Sequence, residues 1–147
     1  MRPRRRPVSM RVPVPVLTSD PVPIRSSGDV VLLRQQVRAR AIEQAFSLVD
    51  QTRIVTAASE LARNTLDYGG GGRALIEVLK EGPRVGLRLT FEDSGPGIPD
   101  IELALSDGYT TGRGLGLGLG GARRLMNEFY IESKPGAGTR VIAIRWH

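Results

Sequence analysis

Two carboxylates and an amide stand out by their surroundings. Asp93 closes an alternating apolar run and is followed at once by a glycine-proline-glycine turn, giving Asp93-x-Gly95-x-Gly97. Glu60 and Asn64 lie four residues apart in an apolar-periodic stretch, so a helix stacks them one turn apart on one face. Glycines at 112, 114, 116, 118, 120 and 121 run directly into a helical pattern. Glycine lets backbone N–H groups approach an anion closely, and the positive end of a helix dipole favours negative charge there. Together the acid and the run read as a nucleotide site, with phosphates on the glycines and Asp93 reading the base. Each feature also has a plainer reading. Glycine runs commonly serve as linkers, although the spacers Leu115, Leu117 and Leu119 are costly to expose. Glu and Asn at the border of an apolar stripe commonly just face solvent.

Composition narrows the chemistry. The chain has 147 residues, no cysteine and one histidine, His147 at the end. That excludes disulfides, thiolate metal sites, histidine-rich metal sites and Ser-His-Asp hydrolysis. No apolar run approaches the ~20 residues that span a bilayer. The basic start is followed by a short, proline-broken apolar stretch, so no signal-peptide core is present, and a cytoplasmic location without membrane attachment is expected. The formal charge of +6 is uneven: six arginines against Asp20 lie in residues 1–25, and the remainder is close to neutral. A basic tail without a basic face on the body gives no expectation of nucleic-acid binding.

The elements that must position these residues follow from periodicity. Residues 1–21 read as a basic, proline-rich tail, extended and without fixed structure, because six of the ten prolines fall in residues 1–25. Residues 22–147 read as one folded domain, with Val22–Ile24 able to add an edge strand. Ser26 and Asp29 are spaced as a capping box for a helix that buries Val30, Leu33, Val37, Ala41 and Ile42 and ends near Phe46. Asp50 is the expected N-cap of a second helix running to about Tyr68, stopped by Gly69–Gly72. Strands are expected at 73–80 and 85–92, the second with Val85, Leu87, Leu89 and Phe91 on one face. A short helix over Pro99–Leu105, a polar loop over Ser106–Thr111, a helix from Ala122 to about Asn127, and strands at 129–133 and 139–146 complete the order. The fold class is α+β, a two-layer sandwich with helices on one face of a mixed, mainly antiparallel sheet.

Phosphate motifs of other folds fail. No G-x-x-x-x-G-K-[ST] is present, and the G-x-G-x-x-G at Gly116–Gly121 lacks the preceding strand a dinucleotide site needs. No histidine is available for the H-R-D of eukaryotic-type kinases. Four pieces do combine: Glu60-x-x-x-Asn64 on a helix, Asp93-x-Gly95-x-Gly97 after a strand, the Gly112–Gly118 run before a helix, and Gly138-Thr139 opening the last strand. In this order they resemble the GHKL ATPase superfamily, whose members share the Bergerat nucleotide-binding fold, over roughly residues 22–147. SELARNTLDYGGGG, EDSGPGIPDIELALSDGYTTG, GARRLMNEF and GTRVIAIRW further resemble the RsbT family, small stand-alone serine/threonine kinases of bacterial stress-signalling switches.

The resemblance implies a protein serine/threonine kinase that uses ATP and Mg²⁺. Asp93 is then the acceptor for the adenine amino group. Gly95 and Gly97 let the backbone pass close to the ring, and Thr139 supports the base through water. Asn64 supplies an oxygen to Mg²⁺, Gly114, Gly116 and Gly118 offer N–H groups to the phosphates, and Arg113 touches the γ-phosphate. Glu60 orients or deprotonates the attacking hydroxyl, and Pro99–Gly112 forms a lid. The implied partners are a STAS-domain antagonist in a stressosome-like assembly, as substrate, and a metal-dependent protein phosphatase that the released kinase activates. Two alternatives stay open: an anti-sigma factor kinase that sequesters a sigma factor, and a nucleotide-binding interaction module without transfer.

Overall fold

The computed structural model describes residues 14–106 and 117–147. Nine elements follow in the order β1 (Val16–Ile24), α1 (Ser27–Glu43), α2 (Leu48–Asp67), β2 (Gly72–Glu81), β3 (Arg84–Asp93), α3 (Ile101–Leu105), α4 (Leu117–Leu125), β4 (Glu128–Lys134) and β5 (Gly138–Trp146). The strands form one sheet in the order β1-β2-β3-β5-β4. Each neighbouring pair is antiparallel, so the sheet has no parallel pair among the described residues. This is the expected α+β sandwich, with helices on one face.

The alternation read from the sequence decides which strand residues meet the helices. Ala74, Ile76 and Val78 of β2, Leu87, Leu89 and Phe91 of β3, and Val141 and Ala143 of β5 join one core with Val30, Leu33 and Val37 of α1 and Ile54, Ala58 and Leu61 of α2. The opposite face carries a small second cluster, Leu79, Ile142 and Ile144, packed by Tyr130 and Trp146. The indole of Trp146 lies under the Arg84 guanidinium, 4.0 Å from its carbon, and over Gly86, where a Cβ would meet the ring at 2.7 Å. The absence of a side chain at 86 is what lets the indole close that face.

Four expectations need correction. The edge strand starts at Val16 rather than Val22, so its first six residues lie inside the segment read as a tail. Proline there suggested an unstructured chain, but an edge strand tolerates Pro21 and Pro23 when their nitrogens face away from the neighbouring strand. Asp20 is also held to α1 by Arg40, whose Nε and Nη2 donate to its two oxygens at 2.8 and 3.0 Å. Helix α1 ends at Glu43, and Ile42 is more than half exposed instead of lying on the buried stripe. The N-cap of α2 is Ser47, whose hydroxyl accepts from the Asp50 N–H at 3.1 Å. Asp50 thus sits at the third helical position, where its charge still favours the positive end of the helix. Helix α4 begins at Leu117, five residues before the expected Ala122, so part of the glycine run is itself helical. Glycine lowers helix propensity, but Leu119 and Ala122 are buried in the main core, and that burial overrides it.

Candidate nucleotide site

The helix that carries Glu60 and Asn64 is placed by ordinary packing. Ile54, Ala57, Ala58, Leu61, Ala62 and Thr65 of α2 are all buried, which rolls Asn64 to the border of the core and leaves Glu60 exposed to solvent. Asn64 lines a cavity of about 200 Å³ shared with Asp93, Thr139, Phe91, Leu61 and Leu119. Its Nδ2 is buried without a hydrogen-bond partner among the described residues. A buried amide left unpaired costs on the order of 1–3 kcal/mol, so a partner from outside the chain is the natural completion. The oxygen and nitrogen of such an amide are interchangeable by a flip. The group therefore fits a role as an oxygen donor to a cation on a phosphate chain. No set of three or more His, Cys, Asp or Glu side chains able to hold a metal occurs among the described residues. A cation bound through one amide oxygen and otherwise through phosphates and water is the mode Mg²⁺ favours.

Asp93 ends β3 and lines the same cavity, paired with Gly72 on β2 and Thr139 on β5. The Gly95 N–H donates to its Oδ1 at 2.9 Å. Burial pushes the Asp93 carboxyl up from the ordinary aspartate value, opposed by hydrogen bonds from the backbone at Gly95 and Thr139. A half-buried carboxylate held by N–H donors at the mouth of an apolar cavity is an acceptor aimed at a polar edge of an otherwise flat, apolar ligand. That matches the reading of a base amino group.

Gly95 and Gly97 occupy positions no other residue fits. A Cβ on Gly95 would lie 2.8 Å from the Gly69 Cα, and one on Gly97, where φ is +78°, would run into the Lys134 carbonyl. Gly118 packs directly on the catalytic candidate: a Cβ there would meet the Glu60 Oε2 at 2.6 Å and its Cβ at 2.8 Å. The first turn of α4 and the exposed Glu60 are therefore side by side. Thr139 lines the cavity, and its hydroxyl meets the Ser133 hydroxyl at 2.8 Å. The structure thus brings Asn64, Asp93 and Thr139 together at one cavity, ties Gly95 to Asp93 and Gly97 to the cavity-lining Tyr68 by hydrogen bonds, and sets Glu60 against Gly118. Arg113, Gly114 and Gly116 lie outside the described residues, as does the 107–112 part of the expected lid. The described part of that segment includes α3, whose N-cap Asp100 accepts from the Leu103 N–H at 3.0 Å.

Three residues in the site escaped the reading of the sequence. Gly69, expected only as a helix stop, packs directly on Asp93: a Cβ there would meet the Asp93 Cβ at 2.6 Å and collide with its carboxyl group. Its N–H donates to the Asn64 carbonyl at 3.0 Å, so one helix end serves both residues. A stop needs one glycine, and four in succession were the available signal. Tyr68 donates its hydroxyl to the Gly97 carbonyl at 3.0 Å and lines the cavity. Ser133 sits on β4 behind Thr139; nothing in the local sequence marks a strand serine as part of a site thirty-five residues away.

Comparison with known proteins agrees with this fold. Residues 49–146 match the family described as histidine kinase-, DNA gyrase B-, and HSP90-like ATPase. The serine/threonine-protein kinase RsbT of Bacillus subtilis is 48% identical over 125 residues, 85% of this chain and 94% of that protein. The anti-sigma F factor of Bacillus licheniformis is 35% identical over 111 residues, 70% of this chain and 75% of that protein. Among solved structures, the RsbU and RsbW domains of Rv1364c from Mycobacterium tuberculosis superpose with a TM-score of 0.60 at 21% identity. That match covers 92% of this chain and 33% of the larger one, and it speaks to the fold.

Proposed function

The chain belongs to the histidine kinase-, DNA gyrase B- and HSP90-like ATPase family, within it beside the RsbT serine/threonine kinases, and on that premise we propose that it is an ATP-dependent protein serine/threonine kinase. The observation that carries the reading is the cavity shared by Asn64, whose buried Nδ2 has no partner among the described residues, the Asp93 carboxylate and Thr139, with Glu60 exposed one helical turn from Asn64.

In this reading Asp93 accepts from the adenine amino group, and Phe91, Leu61 and Val141 give the ring an apolar seat. Asn64 would hold Mg²⁺, which would supply neutralisation of the phosphate charge there. Gly118, in the first turn of α4, receives the phosphates together with Gly116, Gly114 and Arg113, which precede it in the sequence. Glu60 is exposed, so a hydroxyl on a folded partner can reach it. It accepts the proton of that hydroxyl as the oxygen attacks the terminal phosphoryl group, whose bond to the bridging β-phosphate oxygen breaks and releases ADP. Positioning and charge neutralisation supply most of the rate in such transfers, with a general base adding about 10²–10⁴-fold.

For the acceptor we infer a serine or threonine of a STAS-domain antagonist, and for the downstream partner a metal-dependent protein phosphatase, acting in the cytoplasm as a stress-signalling switch. The similarity to RsbT supports this choice. The similarity to anti-sigma F factors keeps a second reading in view, in which the same kinase holds a sigma factor. Incubation with radiolabelled ATP and a STAS-domain protein from a neighbouring gene tests the proposal. Label on a serine or threonine of that protein is expected. ATP binding without transfer to any STAS protein would leave an interaction module, and capture of a sigma factor would select the second reading.

A further inference from the structure

The hydroxyl of Ser133 is a junction behind the nucleotide cavity. It accepts from the Ile98 N–H at 2.7 Å, lies 2.8 Å from the Thr139 hydroxyl, and is 3.2 Å from the Gly138 carbonyl. Ser133 does not line the cavity; Ile98 and Thr139 both do. Ile98 follows directly on the glycine turn after Asp93 and precedes the segment that leads into α3. One side chain on β4 therefore ties the root of that segment to the threonine that faces the base.

The hydrogen inventory makes this tie selective. A serine hydroxyl has one proton and two lone pairs. The Ile98 N–H takes one lone pair, so the proton goes to the Thr139 oxygen or to the Gly138 carbonyl. In either case the Thr139 hydroxyl is held by Ser133 and cannot rotate freely. Without the serine oxygen, the Ile98 N–H loses its acceptor and the Thr139 hydroxyl its anchor. No other residue type at 133 supplies both except threonine, which keeps the hydroxyl and suits a strand.

We propose that Ser133 is a positioning residue for nucleotide recognition: it orients the Thr139 hydroxyl toward the base and pins the chain at Ile98, where the segment over the cavity begins. The proposal rests on the nucleotide reading of the cavity given above. It makes occupancy of the base site and placement of the Ile98–Leu105 segment parts of one hydrogen-bonded unit.

The isosteric pair Ser133→Thr and Ser133→Val isolates the hydroxyl from bulk, and Ser133→Ala removes it with no added volume. Affinity for ATP with Mg²⁺ is measured by calorimetry on the full chain, together with amide exchange at Ile98. The loss of one anchored hydroxyl is expected to weaken ATP binding about tenfold in the Val and Ala proteins. The Thr protein is expected to bind within about threefold of wild type, as a retained hydrogen bond predicts. Ile98 exchange should quicken in Val and Ala and stay slow in Thr, while exchange along β2 and β3 is unchanged. Equal affinity in all four proteins overturns the proposal, as does equal weakening in Thr and Val, which would mean that volume matters and the hydroxyl does not. If wild type binds no ATP, the nucleotide reading and this proposal fall together. If wild type binds and Asp93→Asn does not, but Val and Ala bind as wild type, only this proposal falls.

Discussion

At the scale of single residues, the site separates binding from transfer. Asp93→Asn is expected to abolish measurable ATP binding, because the amide presents a donor to the base amino group in the cavity it shares with Thr139. Glu60→Gln is expected to bind ATP normally and to lose phosphotransfer by about 10²–10⁴-fold; transfer at the wild-type rate would remove Glu60 from the mechanism. Gly69→Ala tests the packing on Asp93. Its methyl group occupies the space of the Asp93 side chain, so ATP affinity should fall by at least about tenfold, the worth of one displaced charge-assisted hydrogen bond. Acid provides an independent check. The folded Asp93 carboxyl is raised by burial above the unfolded aspartate value, which is about 3.9. The folded protein thus takes up this proton more readily than the unfolded chain. As pH falls through the raised value, protonation relieves the cost of burying the charge, so this group stabilises the fold relative to neutral pH. The same proton removes the carboxylate that reads the base. ATP affinity should therefore start to fall at a higher pH than an ordinary aspartate would give, without a matching loss of thermal stability from this group. Titration calorimetry between neutral and mildly acid pH checks it, and constant affinity down to pH about 4 would contradict the assignment.

At the scale of elements, much of the site was legible, and the gaps share a cause. The periodicity of Ile54, Ala58, Leu61 and Thr65 predicted the face of α2 that is buried, and hence that Asn64 borders the core. The alternation of Leu87, Leu89 and Phe91 placed Asp93 at a strand end. Boundaries set by contacts distant in sequence were not legible. Propensity assigns Gly118 and Gly120 to a loop, yet they enter α4 because Leu119 and Ala122 reach the core. The role of Gly69 depends on a side chain twenty-four positions on, and no local pattern encodes it. Arg145 shows the same distance effect in a stabilising role. Its Nη2 bonds the Asp50 carboxylate at 3.0 Å and its Nη1 the Leu125 carbonyl at 3.3 Å. The end of β5 is thereby tied both to the start of α2 and to the end of α4. Arg145→Met should cost about 2 kcal/mol, less than the ~3–5 kcal/mol of a fully buried pair because both side chains keep some exposure. Ser47→Ala, which removes the observed N-cap, should cost about 1 kcal/mol. Chemical denaturation measures both, and a neutral Ser47→Ala would favour a cap elsewhere.

At the scale of the whole molecule, the candidate site is assembled from α2, the end of β3, the first turn of α4 and the start of β5, and β1 lies beyond β2 at the edge of the sheet. Removal of residues 1–24 therefore spares each site residue but strips the buried Val22 and Ile24 from the core. The melting temperature is expected to fall by several degrees, as loss of two buried aliphatic side chains predicts; an unchanged melting curve would show that β1 adds nothing to the fold. The prolines of that strand have a further consequence. β1 is an outer strand, and an outer strand with a full row of N–H groups is a template on which other chains can zip into fibrils. Pro21 and Pro23 delete two of those donors in succession, so the colloidal behaviour of the protein in a crowded cell depends on two residues that take no part in its chemistry.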